Sequence, residues 1–146
     1  MTKPRVAVLT ASAALAVMLC GCATQPAKRR SKDKARAALT ALVADYQNRE
    51  TESFLSRFDP DAIPNFAAFG EGIREFLLSA RQINLDLIID SLLEQGTEIA
   101  VKAHWDRSHV NAAGVLTRAS GRCEFIFRQR ASGDLALSDI HGGSPF

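Results

Sequence analysis

INLDLIID, residues 83–90, is where the spacing of the apolar residues changes from a helical period to an extended one. Ile83, Leu85, Leu87 and Ile89 alternate with four residues of which three are polar. Successive side chains of a β-strand point to opposite faces, so this alternation predicts a half-buried strand. We therefore look for helices before this point and for strands after it.

Three more strands are predicted downstream, over residues 99–106, 116–130 and 135–140. Turn-forming residues at 94–97 and 131–134 separate them, a loop is expected over 107–114, and 142–146 is a turn-like end. Trp105 and Cys123 fall on apolar faces, and we interpret Cys123 as a small core residue, with a reactive thiol as the minor alternative. Gly121 predicts a bulge or bend in the third of the four strands.

Helical periodicity precedes the strands. Apolar residues recur at helical spacing after a start near Ser31, and again in a short second helix that Thr51 could cap. Asn65 can cap a third helix over 66–79, which Gly70 and Gly72 weaken. Helices followed by a meander of four antiparallel strands predict the α+β class, with the helices packed on one face of the sheet.

The N-terminal segment has the form of an export signal. Lys3 and Arg5 precede an apolar run of 14 residues, which as a helix spans roughly 21 Å. A bilayer core of about 30 Å needs more than that, so the run suits a signal peptide over 1–21 better than a membrane span.

Leu19-Cys20-Gly21-Cys22 closes this segment and resembles the lipobox of bacterial lipoproteins. The resemblance implies that Cys22 becomes the N-terminus and carries acyl chains such as palmitate, which anchor the protein in membrane lipid. Ala23 stands where an aspartate usually causes inner-membrane retention in Gram-negative bacteria. The expected location is therefore the cell envelope, at the outer membrane and facing the periplasm.

Charge is distributed unevenly along the predicted mature chain. Residues 23–34 carry a net charge of +4, and residues 35–146 carry a net charge of −4. We interpret 22–34 as the lipidated cysteine and a basic linker, which either touches anionic head groups or is a solvated tether. Residues 35–146 form one domain, whose mildly acidic balance argues against nucleic acid as a partner.

Several segments of 35–146 together resemble one known superfamily. They are ADYQNR (44–49), Asp59-Pro60, His104-Trp105-Asp106, SGRCEFIF (120–127) and LSDIHG (137–142). In these the chain is similar to the nuclear transport factor 2-like (NTF2-like) superfamily, also called SnoaL-like or ketosteroid-isomerase-like. The resemblance implies a strongly curved sheet that wraps the long helix into a cone, with helices in its concave face and a pocket at its open end. That scaffold serves isomerases, dehydratases, epoxide hydrolases and non-catalytic modules.

Tyr46, Asp90 and His104 are the candidate catalytic residues. Ketosteroid isomerases place a tyrosine on the first helix, so the resemblance implies that Tyr46 would be the oxyanion donor, although neither acid of that family's motif maps onto this chain. The alternative for Tyr46 is a core aromatic side chain. His104 and Asp106 share one strand face and could act as a general base, but Lys102 on the same face favours a solvated surface.

No cofactor or metal is expected. His104, His109 and His141 match no compact ligand spacing, and no phosphate-binding glycine loop or nucleophile elbow occurs.

Three functional hypotheses follow. The leading one is a non-catalytic envelope lipoprotein that binds a small apolar ligand or an envelope protein. The second is a small-pocket isomerase, dehydratase or hydrolase, which requires Tyr46, Asp90 and His104 to face one cavity. The third is a structural component of an envelope assembly, which could form a homodimer through the sheet and would be favoured by an exposed apolar patch on 99–128.

Overall fold

The computed structural model describes residues 24–146, so the predicted signal segment and Cys22 lie outside the described residues. Three helices come first: α1 (Thr24–Asn48), α2 (Thr51–Ser56) and α3 (Phe66–Ser79). Four strands follow: β1 (Gln82–Gln95), β2 (Glu98–Val110), β3 (Leu116–Gln129) and β4 (Leu135–Gly142). The strands form one antiparallel sheet in the order β1-β2-β3-β4, which confirms the predicted α+β class and meander.

The curved sheet packs its concave face against the helices. Alternate residues of the central strands point inward and are buried, as the period of two predicts. On β2 and β3 they are Ile99, Val101, Ala103, Trp105, Cys123, Phe125 and Phe127. The helices contribute a second set of buried side chains, namely Leu39, Leu42, Tyr46, Phe54, Leu55, Phe58, Ile73 and Leu77.

Two bulges interrupt the ladders, one between Ile89 and Ser91 and one between Ile126 and Phe127. Bulges bend and twist the strand that carries them, so these two help to curve the sheet. The bulge predicted at Gly121 was wrong. The register of β3 against β2 runs through this residue without a shift, and Gly121 lies directly opposite Trp105.

The outer edge of β4 is covered by the chain that follows α2. The Asp59 amide donates to the Leu137 carbonyl at 2.8 Å, and the Leu137 amide donates to the Arg57 carbonyl at 2.8 Å. This short parallel pairing satisfies backbone groups that an open edge would expose.

Three local predictions need correction. The predicted linker is helical from Thr24, because residues 24–34 are rich in good helix formers and continue the amphipathic helix behind them. The predicted loop over 107–114 is strand as far as Val110, and the turn occupies only 111–115. Glu50, rather than Thr51, stands at the N-cap of α2. Asn65 stands at the N-cap of α3 as predicted, but neither residue makes a side-chain capping hydrogen bond.

Among residues 24–146 no helix is both long and apolar enough to cross a membrane.

Candidate functional site

Tyr46 lies inside the cone and has no exposed surface. Its ring packs against Phe54 and Phe76, with centroids at 5.4 Å and 5.9 Å. Its hydroxyl accepts a hydrogen bond from Nη1 of Arg107 at 3.2 Å. Burial raises the pKa of Tyr46, and the charge and hydrogen bond of Arg107 offset part of that rise. The side chain is therefore a neutral phenol at physiological pH, in an aromatic environment.

Asp90 and His104 meet on the opposite, convex face of the sheet. Nδ1 of His104 lies 2.8 Å from Oδ1 of Asp90, and 40% and 46% of the two side chains are exposed. Both side chains are on the same face of the sheet, and Asp90 lies two residues beyond Ile88, which is directly opposite His104. The structure thus brings together two of the three candidates, leaves Tyr46 on the other side of the sheet, and pairs His104 with Asp90 rather than Asp106.

Arg107 and His109 face the inside of the cone, where sequence reasoning did not place them. They continue the inward alternation of β2 after Trp105, beyond the predicted end of that strand. Nη1 of Arg107 donates to the Pro145 carbonyl at 2.8 Å as well as to Tyr46, and its guanidinium carbon lies 5.4 Å from the centre of the Phe76 ring. A cation at that distance is attracted by the electron-rich face of the ring.

Two buried nitrogen atoms here have no hydrogen-bond partner among the described residues: Nε of Arg107 and Nδ1 of His109. Burial lowers the pKa of His109, and the charge of Arg107 lowers it further, so the imidazole is neutral at physiological pH. Buried polar atoms in proteins are nearly always paired, so these two atoms, on residues two positions apart in β2, mark an unsatisfied polar position inside the cone.

Residues 142–146, the closing segment, fold back over this interior. The Phe146 ring lies 5.0 Å from Phe54 and 5.1 Å from Tyr46, and Pro145 is fully buried. Nε1 of Trp105 donates to the Gly143 carbonyl at 2.8 Å. The space between Tyr46 and Phe54 inside the cone is therefore filled by a side chain of the protein itself.

The three histidines are dispersed. His109 is inside the cone, whereas His104 and His141 are on the other side of the sheet, where His141 lies 2.8 Å from Asp139. Within the part of the chain that the structure describes, no three histidine, cysteine or acidic side chains approach one another closely enough to hold a metal ion.

The convex face carries charges instead of an apolar patch. Asp86 and Asp106 are cross-strand neighbours, and a shallow hollow of about 400 Å³ lies between them and Arg118. Within 99–128 the exposed large apolar residues are Val115 and Leu116, at the tip of the β2–β3 hairpin rather than on the sheet.

Comparison with solved structures assigns the fold. An NTF2-like superfamily protein from Salmonella enterica matches with a TM-score of 0.69 and 10% identity, over 82% of this chain and 94% of that one. A ketosteroid isomerase-like protein from Erwinia carotovora matches with a TM-score of 0.65 and 16% identity, over 79% and 98%. An NTF2-like family protein from Streptomyces avermitilis, named as a candidate dehydratase, matches with a TM-score of 0.68 and 13% identity, over 82% and 99%.

These similarities define the class: residues 24–146 have the NTF2-like α+β cone, as the sequence resemblance predicted. At such identities a structural likeness establishes the fold and leaves the activity open. No protein-family model matches this sequence, and the comparison with curated proteins gives no match either.

Proposed function

We propose that this chain is a lipid-anchored protein of the bacterial cell envelope, at the outer membrane and facing the periplasm, whose NTF2-like domain binds a ligand or a protein without catalysing a reaction. One observation supports the non-catalytic part most strongly. The candidate oxyanion donor and the candidate acid–base pair are on opposite faces of the same sheet.

General acid–base catalysis requires that the groups reach a common substrate at hydrogen-bond distance. Tyr46 is enclosed by aromatic rings and its hydroxyl is engaged by Arg107, while Asp90 and His104 face solvent. No single substrate can contact all three. An isomerase, dehydratase or hydrolase built on this set is therefore the weaker alternative.

The helical state of the basic segment supports the anchored arrangement. The described part of the basic segment lies within α1, so a lipidated Cys22 would hold the domain close to the bilayer. Arg29, Arg30 and Lys32 are exposed in this part of α1. Each basic side chain near an anionic membrane surface contributes about 1 kcal/mol of attraction.

The anchor is tested by expressing the full chain in a Gram-negative host with labelled palmitate. We expect label in the protein, recovery in the outer-membrane fraction, and an intact mass that corresponds to a chain beginning at an acylated Cys22. Cys22→Ala should abolish both label and membrane recovery, whereas the matched Cys20→Ala should retain them. An unlabelled, freely soluble product that keeps Met1 would refute the proposal.

The structural-assembly alternative is less well supported. A structural assembly through the sheet predicts an exposed apolar patch on residues 99–128. The convex face of that stretch carries charged side chains instead. A homodimer through the sheet remains a prediction.

A further inference from the structure

The guanidinium of Arg107 is a cation without an anion. Among residues 24–146 no carboxylate lies within 4.0 Å of it, although six other basic side chains have such partners. Its acceptors are a phenol and a backbone carbonyl, both neutral. A partly buried charge is costly unless an opposite charge compensates it, so this position favours an anionic ligand.

The unpaired nitrogen atoms around Arg107 fit the same ligand. Nη1 already donates to oxygen atoms, and the buried Nε has no acceptor. A guanidinium presents its N–H groups as a planar fork that matches the two oxygens of a carboxylate. Nδ1 of His109, also buried and unpaired, could donate to the same anion in the tautomer that protonates it.

The Phe146 ring shows what kind of molecule the interior accommodates. It is surrounded by the rings of Tyr46, Phe54, Phe58 and Phe125, with centroid separations between 5.0 Å and 6.5 Å. These are the separations of favourable aromatic pairs. A ligand with an aromatic body would find the same contacts if Phe146 moved out.

The closing segment is attached to the sheet through a tight turn and a few hydrogen bonds. Gly142 has a φ of +90°, and a Cβ added there would lie 2.9 Å from the Arg122 carbonyl oxygen, so this turn requires glycine. Beyond the turn, side-chain hydrogen bonds from Trp105 and Arg107 hold the carbonyls of Gly143 and Pro145. An incoming carboxylate would replace the Pro145 carbonyl on Arg107.

We propose that the inside of the cone is a binding site for an aromatic or similarly apolar carboxylate, in which Arg107 holds the carboxylate and the apolar body takes the place of the Phe146 side chain. This inference rests on the proposed binding function and specifies its ligand class. The closing segment then acts as a competitor that the ligand displaces.

The test uses the full chain in a non-ionic detergent and two matched probes, 3-phenylpropanoate and the neutral 3-phenylpropanamide. Trp105 is the single tryptophan, and displacement of the closing segment breaks its bond to Gly143, so its fluorescence reports the exchange. Equilibrium dialysis gives the affinity independently. We expect the acid to bind at least about tenfold more tightly than the amide, as a charge-assisted pair predicts.

Two variants separate the parts of the site. Arg107→Gln should bring the acid to the affinity of the amide, whereas the convex-face control Arg118→Gln should not. Phe146→Ala should bind the acid about tenfold more tightly than the wild type, because the competitor is gone, whereas Leu78→Ala on the exposed surface should not. Circular dichroism melts establish that each variant is folded, and the acid–amide comparison in the wild type needs no variant.

The possible results separate a failure of the proposed carboxylate site from a failure of the proposed lipid-anchored binding function. Equal binding of acid and amide, or a full acid preference in a folded Arg107→Gln variant, would overturn the carboxylate site while leaving a binding cone in place. Absence of binding by both probes in both the wild type and Phe146→Ala would overturn the inference as well. A membrane-anchored protein that binds neither probe would still satisfy the palmitate experiment, so the two failures remain separate.

Discussion

Gly121 shows how one residue position is determined by a neighbour far away in the sequence. A Cβ at this position would lie 2.8 Å from Cζ2 of Trp105, closer than real Cβ contacts occur. The strand is regular at this point, so glycine is required by the indole that lies over it and not by the backbone conformation. Sequence pattern alone suggested a bulge, because the pattern does not reveal what faces a residue across the sheet.

We therefore expect Gly121→Ala to destabilise the protein by about 1–3 kcal/mol, the usual cost of overpacking a filled core. Gly72→Ala is the matched control: no atom lies within 4 Å of its added Cβ, and alanine is better than glycine inside a helix by about 1 kcal/mol. Urea unfolding of both variants measures the free energies. A Gly121→Ala protein as stable as the wild type would show that Trp105 does not occupy this place.

Individual core residues of the strands could be predicted because they are apolar and recur at every second position. Trp105 and Cys123 are buried as expected, and burial raises the pKa of Cys123 to about 11, which keeps the thiol protonated and unreactive. Arg107 and His109 were missed because charged and polar side chains suggested a loop. The available signal was the continued alternation after Trp105, in a segment without glycine or proline.

At the scale of elements, the joint between α1 and α2 depends on one carboxylate. α1 ends with Arg49 in the left-handed region, at a φ of 59°, and the Glu50 amide donates to the Asp45 carbonyl at 2.9 Å. The Asp45 side chain accepts hydrogen bonds from Ser53 and Arg57 of the next element. Asp45 thus fixes the angle at which α2 and its buried residues meet the core.

Burial alone would raise the pKa of Asp45, but hydrogen bonds from Arg57 and Ser53 and the charge of Arg57 outweigh it, and the net pKa is lowered. The unfolded chain therefore binds a proton at a higher pH than the folded one. The stabilisation is complete above the unfolded pKa of about 4 and is lost as the pH falls through the folded pKa.

Asp45→Asn should consequently be less stable than the wild type at pH 7, and the difference should shrink as the pH falls below about 4. Ser53→Ala, which removes one of the hydrogen bonds, should show a smaller effect of the same sign. Urea midpoints measured between pH 2.5 and 7 test this. A constant difference between Asp45→Asn and wild type across that range would contradict the ion-pair assignment.

Element type and order were predictable here, because most of the strand residues follow a period of two and the apolar residues of the helices a period near 3.6. Element ends were less so. β1 runs five residues beyond Asp90, through a bulge that breaks the alternation. The basic segment of α1 is helical although it contains no large apolar residue. Tertiary packing of the later turns of α1 supports its early turns, and local sequence does not report that support.

For the whole molecule, the resemblance to the NTF2-like superfamily predicted the cone correctly, but not what fills it. The closing segment was interpreted only as a turn-like end, since nothing in Gly142–Phe146 indicates which rings Phe146 will meet. The structure does not bring Tyr46, Asp90 and His104 to one cavity. Asp90 continues the outward alternation of Asn84, Asp86 and Ile88 and is exposed on the convex face, whereas Tyr46 is buried inside the cone.

We propose that the working surface of the whole molecule is the inside of the cone and not the convex face. Two-dimensional ¹⁵N NMR of the protein titrated with 3-phenylpropanoate tests this most directly, because Nε–H of Arg107 and Nε1–H of Trp105 report the interior while the amides of Asp90 and His104 report the convex face. We predict large shifts of the two side-chain signals and unchanged convex amides. Shifts confined to Asp90, His104 and their neighbours would contradict the claim.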